Sequence, residues 1–254
     1  MYIFNLYIPI ELIQYIFDFL EFRNQISFKL TCKDYCQLRI YDLYNIPYEY
    51  KKELNDDILK NYPFLKYLDA SYNKKIKNVS HLTYLQILKA SGSYCEINDK
   101  GIKNLNLIQL NASDNHKITN VSHMTNLQIL DACGYCGIDD KGIKNLNLIQ
   151  LNVNNNKKIT NIYHMTNLQI LDASYDCGIN DHSIKNLNLI QLNARFNHNI
   201  TCVSHMTNLQ ILDISGYICG IDNEGIKGLN LIKLYSFNND KITFKKKYKM
   251  ELIN

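Results

Sequence analysis

The sequence predicts an α/β solenoid: a curved stack of short coils whose strands form one parallel concave sheet, preceded by a short all-α segment of three helices. Three observations predict it. The phrase HMTNLQILD occurs word for word at 123–131, 164–172 and 205–213, and a near copy, HLTYLQILK, stands at 81–89. A second phrase, NLNLIQLN, falls between the copies at 104–111, 145–152 and 186–193, with GLNLIKLY at 228–235. The first 45 residues contain neither phrase and carry apolar residues at helical spacing instead. Self-similarity at a short fixed period is the mark of stacked repeats.

The helical segment comes first, over residues 1–45. Pro9 takes a natural first helical position, and Leu12, Ile13, Ile16, Phe17 and Leu20 line one apolar face. Asn24 is placed to cap a second helix over QISFKL. Thr31-Cys32-Lys33-Asp34 has the spacing of a capping box that opens a third. Three short helices bury little surface alone, so a partner is expected to cover their apolar excess. Residues 46–62 follow. There LNDDILKNYPFL echoes INDKGIKNLNL farther on, which predicts a degenerate capping coil and a rigid junction.

About nine coils then fill residues 63–243. Each opens at a leucine: Leu65, Leu85, Leu107, Leu127, Leu148, Leu168, Leu189, Leu209 and Leu231. Each continues as Leu-x-x-Leu-x-small, so residues one, four and six face the core and residues three and five face out. One coil cannot bury that inner face, but a stack buries it continuously. Eight residues past every second anchor stands Asn73, Asn115, Asn156, Asn197 or Asn239. An amide both donates and accepts, so this ladder is suited to satisfying buried backbone groups of the adjacent coil. The alternate coils carry Cys95, Cys136, Cys177 and Cys219 instead. The pattern resembles the leucine-rich repeat, and the cysteine coils resemble its cysteine-containing class, in which a short convex helix follows an Asp-rich cap. Asp99, Asp140 and Asp181 are placed to cap that helix. A basic tail, residues 244–254, ends the chain.

Several chemistries are excluded. His81, His123, His164 and His205 recur in register, but two strands separate each from the next, about 10 Å, whereas zinc holds its nitrogens at about 2 Å. No metal or cofactor is expected. Cys133 and Cys136 spell C-x-x-C without a thioredoxin-like setting, and Ser stands at the position of Cys133 in sister coils. No nucleophile elbow, phosphate loop or zinc-protease motif is present, so no catalytic residue is expected. A net charge of +4 is too mild to argue for nucleic acid. The N-terminus has no basic leader, and polar residues interrupt its apolar run, which predicts neither a signal peptide nor a membrane span. Eight cysteines then read as reduced thiols of the cytoplasm or nucleus.

The first forty residues resemble the F-box. The resemblance rests on Ile8-Pro9, Glu11-Leu12, Ile16-Phe17, Leu20, Ile26, Leu30, Cys32-Lys33 and Tyr35, with Ile8 and Tyr35 departing from the usual Leu and Trp. F-boxes precede cysteine-type leucine-rich repeats in a known architecture. The resemblance implies a substrate-recognition subunit of a Skp–cullin–F-box ubiquitin ligase. Ile8, Pro9, Leu12, Ile16, Leu20, Cys32 and Lys33 would bind a Skp-family adaptor, linking to a cullin and RING subunit, and the repeats would hold a target protein. A scaffold that only sequesters the adaptor is the alternative.

For the target, near-identical coils discriminate poorly, so departures between siblings matter most. Position five gives acidic points at Asp131, Asp172 and Asp213. Arg195-Phe196 stand against Ser113-Asp114 and Asn154-Asn155, and the last coil brings Tyr235 and Phe237. Arginine and aromatic residues dominate interface energetics, which places target docking on the C-terminal half.

Overall fold

The structure is a computed structural model and describes residues 10–31, 38–44 and 46–243. Ten strands form one parallel sheet in strict chain order. They are β1 (Asp42–Leu43), β2 (Tyr67–Asp69), β3 (Ile87–Lys89), β4 (Gln109–Asn111), β5 (Ile129–Asp131), β6 (Gln150–Asn152), β7 (Ile170–Asp172), β8 (Gln191–Asn193), β9 (Ile211–Asp213) and β10 (Lys233–Tyr235). From β2 on, position three pairs with position three and five with five, so Asp131, Asn152, Asp172, Asn193 and Asp213 lie in one row. The sheet begins inside the stretch read as wholly helical, because Asp42 and Leu43 pair with Tyr67 and Leu68.

The core follows the period. Leu65, Leu68 and Ala70 are buried, as are their counterparts in the later coils apart from half-buried Ser236 in the last, and together the apolar ones make one continuous cluster. The asparagine ladder works across coils. Asn115 Nδ2 donates to Ala90 O and Ile97 O, at 2.8 and 3.1 Å, while its Oδ1 accepts from Lys117 N at 2.9 Å. Asn239 repeats the pattern on Ile214, Ile221 and Lys241. Cys95 and Cys219 reach the preceding coil more weakly, their thiols lying 3.6 and 3.5 Å from Ala70 O and Ala194 O.

On the convex side the cysteine coils carry one-turn helices: α5 (Asp99–Ile102), α6 (Asp140–Ile143) and α7 (Asp181–Ile184). Their caps are Asn98, Asp139 and Asn180, one residue earlier than the sequence pattern suggested. Asp99, Asp140 and Asp181 have a different task. As first helical residues they point sideways, and each carboxylate accepts from two backbone amides and a threonine hydroxyl of the next coil, except that Cys202 supplies one amide for Asp181. The helices also press on the coil before them. A Cβ on Gly101 would stand 2.2 Å from Lys77 O. In α7 the same position is Ser183, whose hydroxyl donates to Thr160 O at 2.6 Å.

Before β2, residues 46–62 hold α3 (Tyr48–Lys51) and α4 (Asp56–Leu59). Asn55 caps α4 as Asn98 caps α5, and Asp56 accepts from Lys77 N and Asn78 N. Lys51 meets Asp69 at 2.6 Å with both side chains mostly covered, tying α3 to β2. Burial pushes the Asp69 carboxyl up, but the hydrogen bonds from Lys51 and Ser71 outweigh it and hold the group below its ordinary range.

Two longer helices open the described chain, α1 (Ile10–Asp18) and α2 (Phe22–Thr31). Asn24 lies within α2 rather than capping it, since that helix starts at Phe22. The expected third helix, opened by Thr31, falls on residues 32–37, outside the described residues.

Candidate functional site

Helix α1 is apolar on two sides. Phe17 is fully buried in the solenoid core, with Ile10, Ile13 and Leu20 packed against the same cluster. Gln14 fixes the helix further: its Nε2 donates to Arg39 O at 2.9 Å and its Oε1 accepts from Arg39 N at 2.7 Å. The second stripe faces solvent. Leu12, Tyr15, Ile16 and Phe19 are 55, 64, 54 and 75% exposed. Their spacing is i, i+3, i+4 and i+7, the spacing of a face built to be covered. Tyr15 and Phe19 set their rings edge to face, with centroids 5.0 Å apart. Of the residues expected to meet an adaptor, Leu12 and Ile16 lie on this stripe. Leu20 instead packs inward, and Ile8, Pro9, Cys32 and Lys33 lie outside the described residues. The sequence reading put Leu12, Ile13, Ile16, Phe17 and Leu20 on one face and passed over Tyr15 and Phe19.

A second exposed surface runs along the C-terminal edge of the sheet. The eighth residue of each phrase is left-handed: Tyr72, Gly92, Asp114, Gly134, Asn155, Tyr175, Phe196, Gly216 and Asn238 all have positive φ. Glycine, Asn and Asp accept this readily, whereas aromatic residues do so at a cost of about 1–2 kcal/mol. Tyr175 and Phe196 sit there nonetheless. Their rings lie 5.2 Å apart, and Tyr217 adds an edge contact to Phe196 at 5.8 Å. Phe196 lies flat over Gly216, where a Cβ would come within 2.4 Å of the ring. The Arg195 guanidinium is 5.2 Å from the Phe196 ring centre. Asn155, Tyr175, Asp176, Phe196, Tyr217 and Ile218 line a groove of about 340 Å³.

The expected acidic points stand at the ends of β5, β7 and β9, on the strands rather than in the groove lining. Asp131 accepts from Cys133 N and Asn111 Nδ2, and Asp172 from Ser174 N and Asn193 Nδ2. Asp213 accepts from Ser215 N. These bonds close the turn at each strand end, so the carboxylates have a structural task beside any binding one. Burial raises the Asp131 carboxyl above its usual range, and the Asp172 charge adds to the effect. Tyr235 is half-buried on β10, and Phe237 is exposed beyond it. Two of the recurrent histidines brace turns: His123 and His205 Nε2 lie 3.3 and 3.2 Å from the carbonyls of Ile102 and Ile184. Burial pushes Cys136 up to about 11 and Cys133 up to about 12, which makes neither an active thiol. Among the described residues no three His, Cys, Asp or Glu side chains gather as metal ligands, and no helix is long and apolar enough to cross a membrane.

Comparison with known proteins bears on the domains and the fold. The F-box domain family matches residues 6–38, the segment that contains α1 and α2. The solved structure of a TLR13–ssRNA13 complex superposes with a TM-score of 0.52 at 20% identity, over 77% of this chain. Ten parallel strands in chain order and that likeness agree on the repeat architecture. The chain is an F-box joined to a leucine-rich-repeat solenoid. It spans only 32% of the TLR13 chain, so the likeness speaks for the fold alone. An internalin from Listeria monocytogenes matches at 19% identity and TM-score 0.46, over 79% of this chain and 71% of that one. The yeast Rad7–Elc1 complex matches at 15% identity and TM-score 0.43, over 95% of this chain and 92% of that one. The last two superpose too loosely to carry an argument. Among curated proteins there is no match.

The exposed stripe of α1 lies inside the segment that matches the F-box, and F-box domains in general bind Skp-type adaptors. In the leucine-rich repeats, the groove at Phe196 joins residues that sequence comparison separated. Arg195 and Phe196 stood out as departures, whereas Tyr175 and Tyr217 did not. The available signal was position: Tyr175 occupies the same left-handed eighth place as Phe196, and Tyr217 is one step past it.

Proposed function

We propose that this protein is the substrate receptor of a Skp–cullin–F-box ubiquitin ligase. The observation that carries the reading is the exposed stripe Leu12, Tyr15, Ile16 and Phe19, lying inside the segment that matches the F-box. Covering four such side chains contributes at most about 1.5–3 kcal/mol each, before the entropic cost of association is met. The adaptor bridges to a cullin and its RING subunit, and the leucine-rich repeats hold a target protein. The chain performs no bond chemistry in this scheme. It raises the local concentration of a target lysine beside a ubiquitin thioester formed elsewhere. Ile8, Pro9, Cys32 and Lys33 belong to the adaptor surface by the same reading, and Tyr15 and Phe19 join it.

The test is co-purification of the full chain with a Skp-family adaptor and a cullin. Leu12→Arg with Ile16→Arg is expected to abolish adaptor capture, because two charges would be buried without partners. The repeats are expected to keep their circular dichroism and melting transition, since neither side chain enters the core. Undiminished capture by this variant refutes the adaptor surface. Capture of adaptor without cullin refutes the ligase reading and leaves a sequestering scaffold.

A further inference from the structure

The groove between Tyr175, Phe196, Tyr217 and Ile218 is an apolar seat beyond the C-terminal ends of strands that carry a row of carboxylates. Asp131, Asp172 and Asp213 stand on every second strand of one register row, about 10 Å apart. Positions three and five of β4–β9 hold Gln, Ile, Asn and Asp, with no lysine or arginine among them. Asp172 lies three residues before Tyr175, and Asp213 three before Gly216, against which Phe196 packs, so these carboxylates and the rings follow one another along the same turns. Of the cations near the groove, Lys157 pairs with Asp176 at 2.5 Å, and Arg195 lies against the Phe196 ring and keeps its charge, one cation beside three strand carboxylates. The surface therefore presents an apolar seat beside a negative track.

We propose that this surface takes a basic segment of the target protein. An apolar or aromatic side chain seats in the groove, and lysine or arginine neighbours lie over Asp172, Asp213 and Asp131. An extended chain with three residues per turn returns a side chain to the same side about every 9 Å, which matches the spacing of the row. Complementary charge fixes the direction and register of the segment, and the aromatic seat supplies the anchor. This inference rests on the receptor reading above and names the chemistry of what the repeats recognise. Acidic or phosphorylated segments are the opposite expectation, since the row would repel them.

The repeats supply variants that preserve the fold. Asn111, Asn152 and Asn193 occupy the same strand position as the three Asp residues, and Asn111 Oδ1 accepts from Ser113 N just as Asp172 Oδ1 accepts from Ser174 N. Asp131→Asn, Asp172→Asn and Asp213→Asn together therefore remove charge while keeping the turns. Phe196→Asn places in the left-handed eighth position a residue that Asn155 already holds there. The full chain is titrated by fluorescence anisotropy with two labelled synthetic peptides. One carries a leucine and a tyrosine with lysine at every third position; the other has glutamate in place of each lysine.

The lysine peptide is expected to bind the native chain and to weaken as salt is raised. Binding is expected to fall roughly tenfold or more in the triple variant and in Phe196→Asn. Equal binding by the triple variant, stronger binding of the glutamate peptide, or no binding of the lysine peptide overturns the proposal. Adaptor capture is measured on the same preparations. Native chain that holds adaptor yet ignores the lysine peptide sinks this inference and leaves the receptor reading standing. Native chain that fails to hold adaptor sinks the receptor reading.

Discussion

Asn115→Ala is expected to be among the most damaging single changes in the solenoid. The side chain is 1% exposed and serves three backbone groups: Ala90 O at 2.8 Å, Ile97 O at 3.1 Å and Lys117 N at 2.9 Å. Alanine fills none of these roles. A buried polar group left without its partner costs about 1–3 kcal/mol. The two carbonyls belong to the preceding coil and lie deep; the Lys117 amide is nearer the surface, where water can replace the lost acceptor. Two full penalties and one partial penalty give about 2.5–7 kcal/mol. Domains of this kind are stable by about 5–15 kcal/mol, so the loss is a large share. Equilibrium unfolding in urea measures it, with exposed Asn161→Ala as the control, expected within about 0.5 kcal/mol of the native chain. Because each coil couples mainly to its neighbours, hydrogen exchange should quicken first around Ala90 and Ile97. A cost under about 1 kcal/mol, or one equal to the control, would refute the role of the ladder.

Two other outcomes follow from the same geometry. Asp131→Asn is expected to raise the melting temperature at neutral pH. Its folded pKa is raised by burial, so native stability is full below the unfolded carboxylate value and declines as pH rises through the folded one. The difference between variant and native chain should therefore shrink on acidification, and a gap that widens instead refutes the assignment. Brief labelling with a thiol reagent, mapped by mass spectrometry, should modify exposed Cys202. It should spare Cys95, Cys136 and Cys177, whose burial pushes each up to about 11, until the chain is unfolded. Labelling of those three in the native chain at the rate of Cys202 contradicts the packing described.

The repeats were legible because each buried position is stated many times. Leu68, Leu88, Leu110 and their successors give the sheet its period, and Asn73 to Asn239 mark its turns at fixed distance. What the sequence hid is what repetition does not decide. Asn98 and Asp99 are both good caps, and only the path of the chain shows that Asn98 takes the cap and frees Asp99 to hold the next coil. In α1 the apolar residues are too many for one face. Composition cannot tell that Phe17 meets the core while Phe19, two residues on, meets solvent. At the C-terminal edge, Arg195 and Phe196 were visible as departures. The groove they share with Tyr175 and Tyr217 depends on a left-handed turn that aligns side chains from successive coils, and that turn shows only in the sister coils, where Gly, Asn or Asp holds the eighth place.

The devices that join coils also differ at alternate junctions. From a cysteine coil to the asparagine coil that follows, Asp99 and Asn115 hold the contact from both sides. From an asparagine coil to the next cysteine coil, the close approach of Gly101 to Lys77 and the Cys95 thiol serve instead. Deleting or adding one coil would set like against like, and neither set of devices would find its partners. The array can therefore change length only in double steps, such as the 41 residues that separate the copies at 123 and 164. Each step moves the far end by about two strand spacings, about 10 Å, and returns the carboxylate row to the same phase. Descendants of this chain would accordingly differ in reach by whole strides, keeping one grammar of charge at every length.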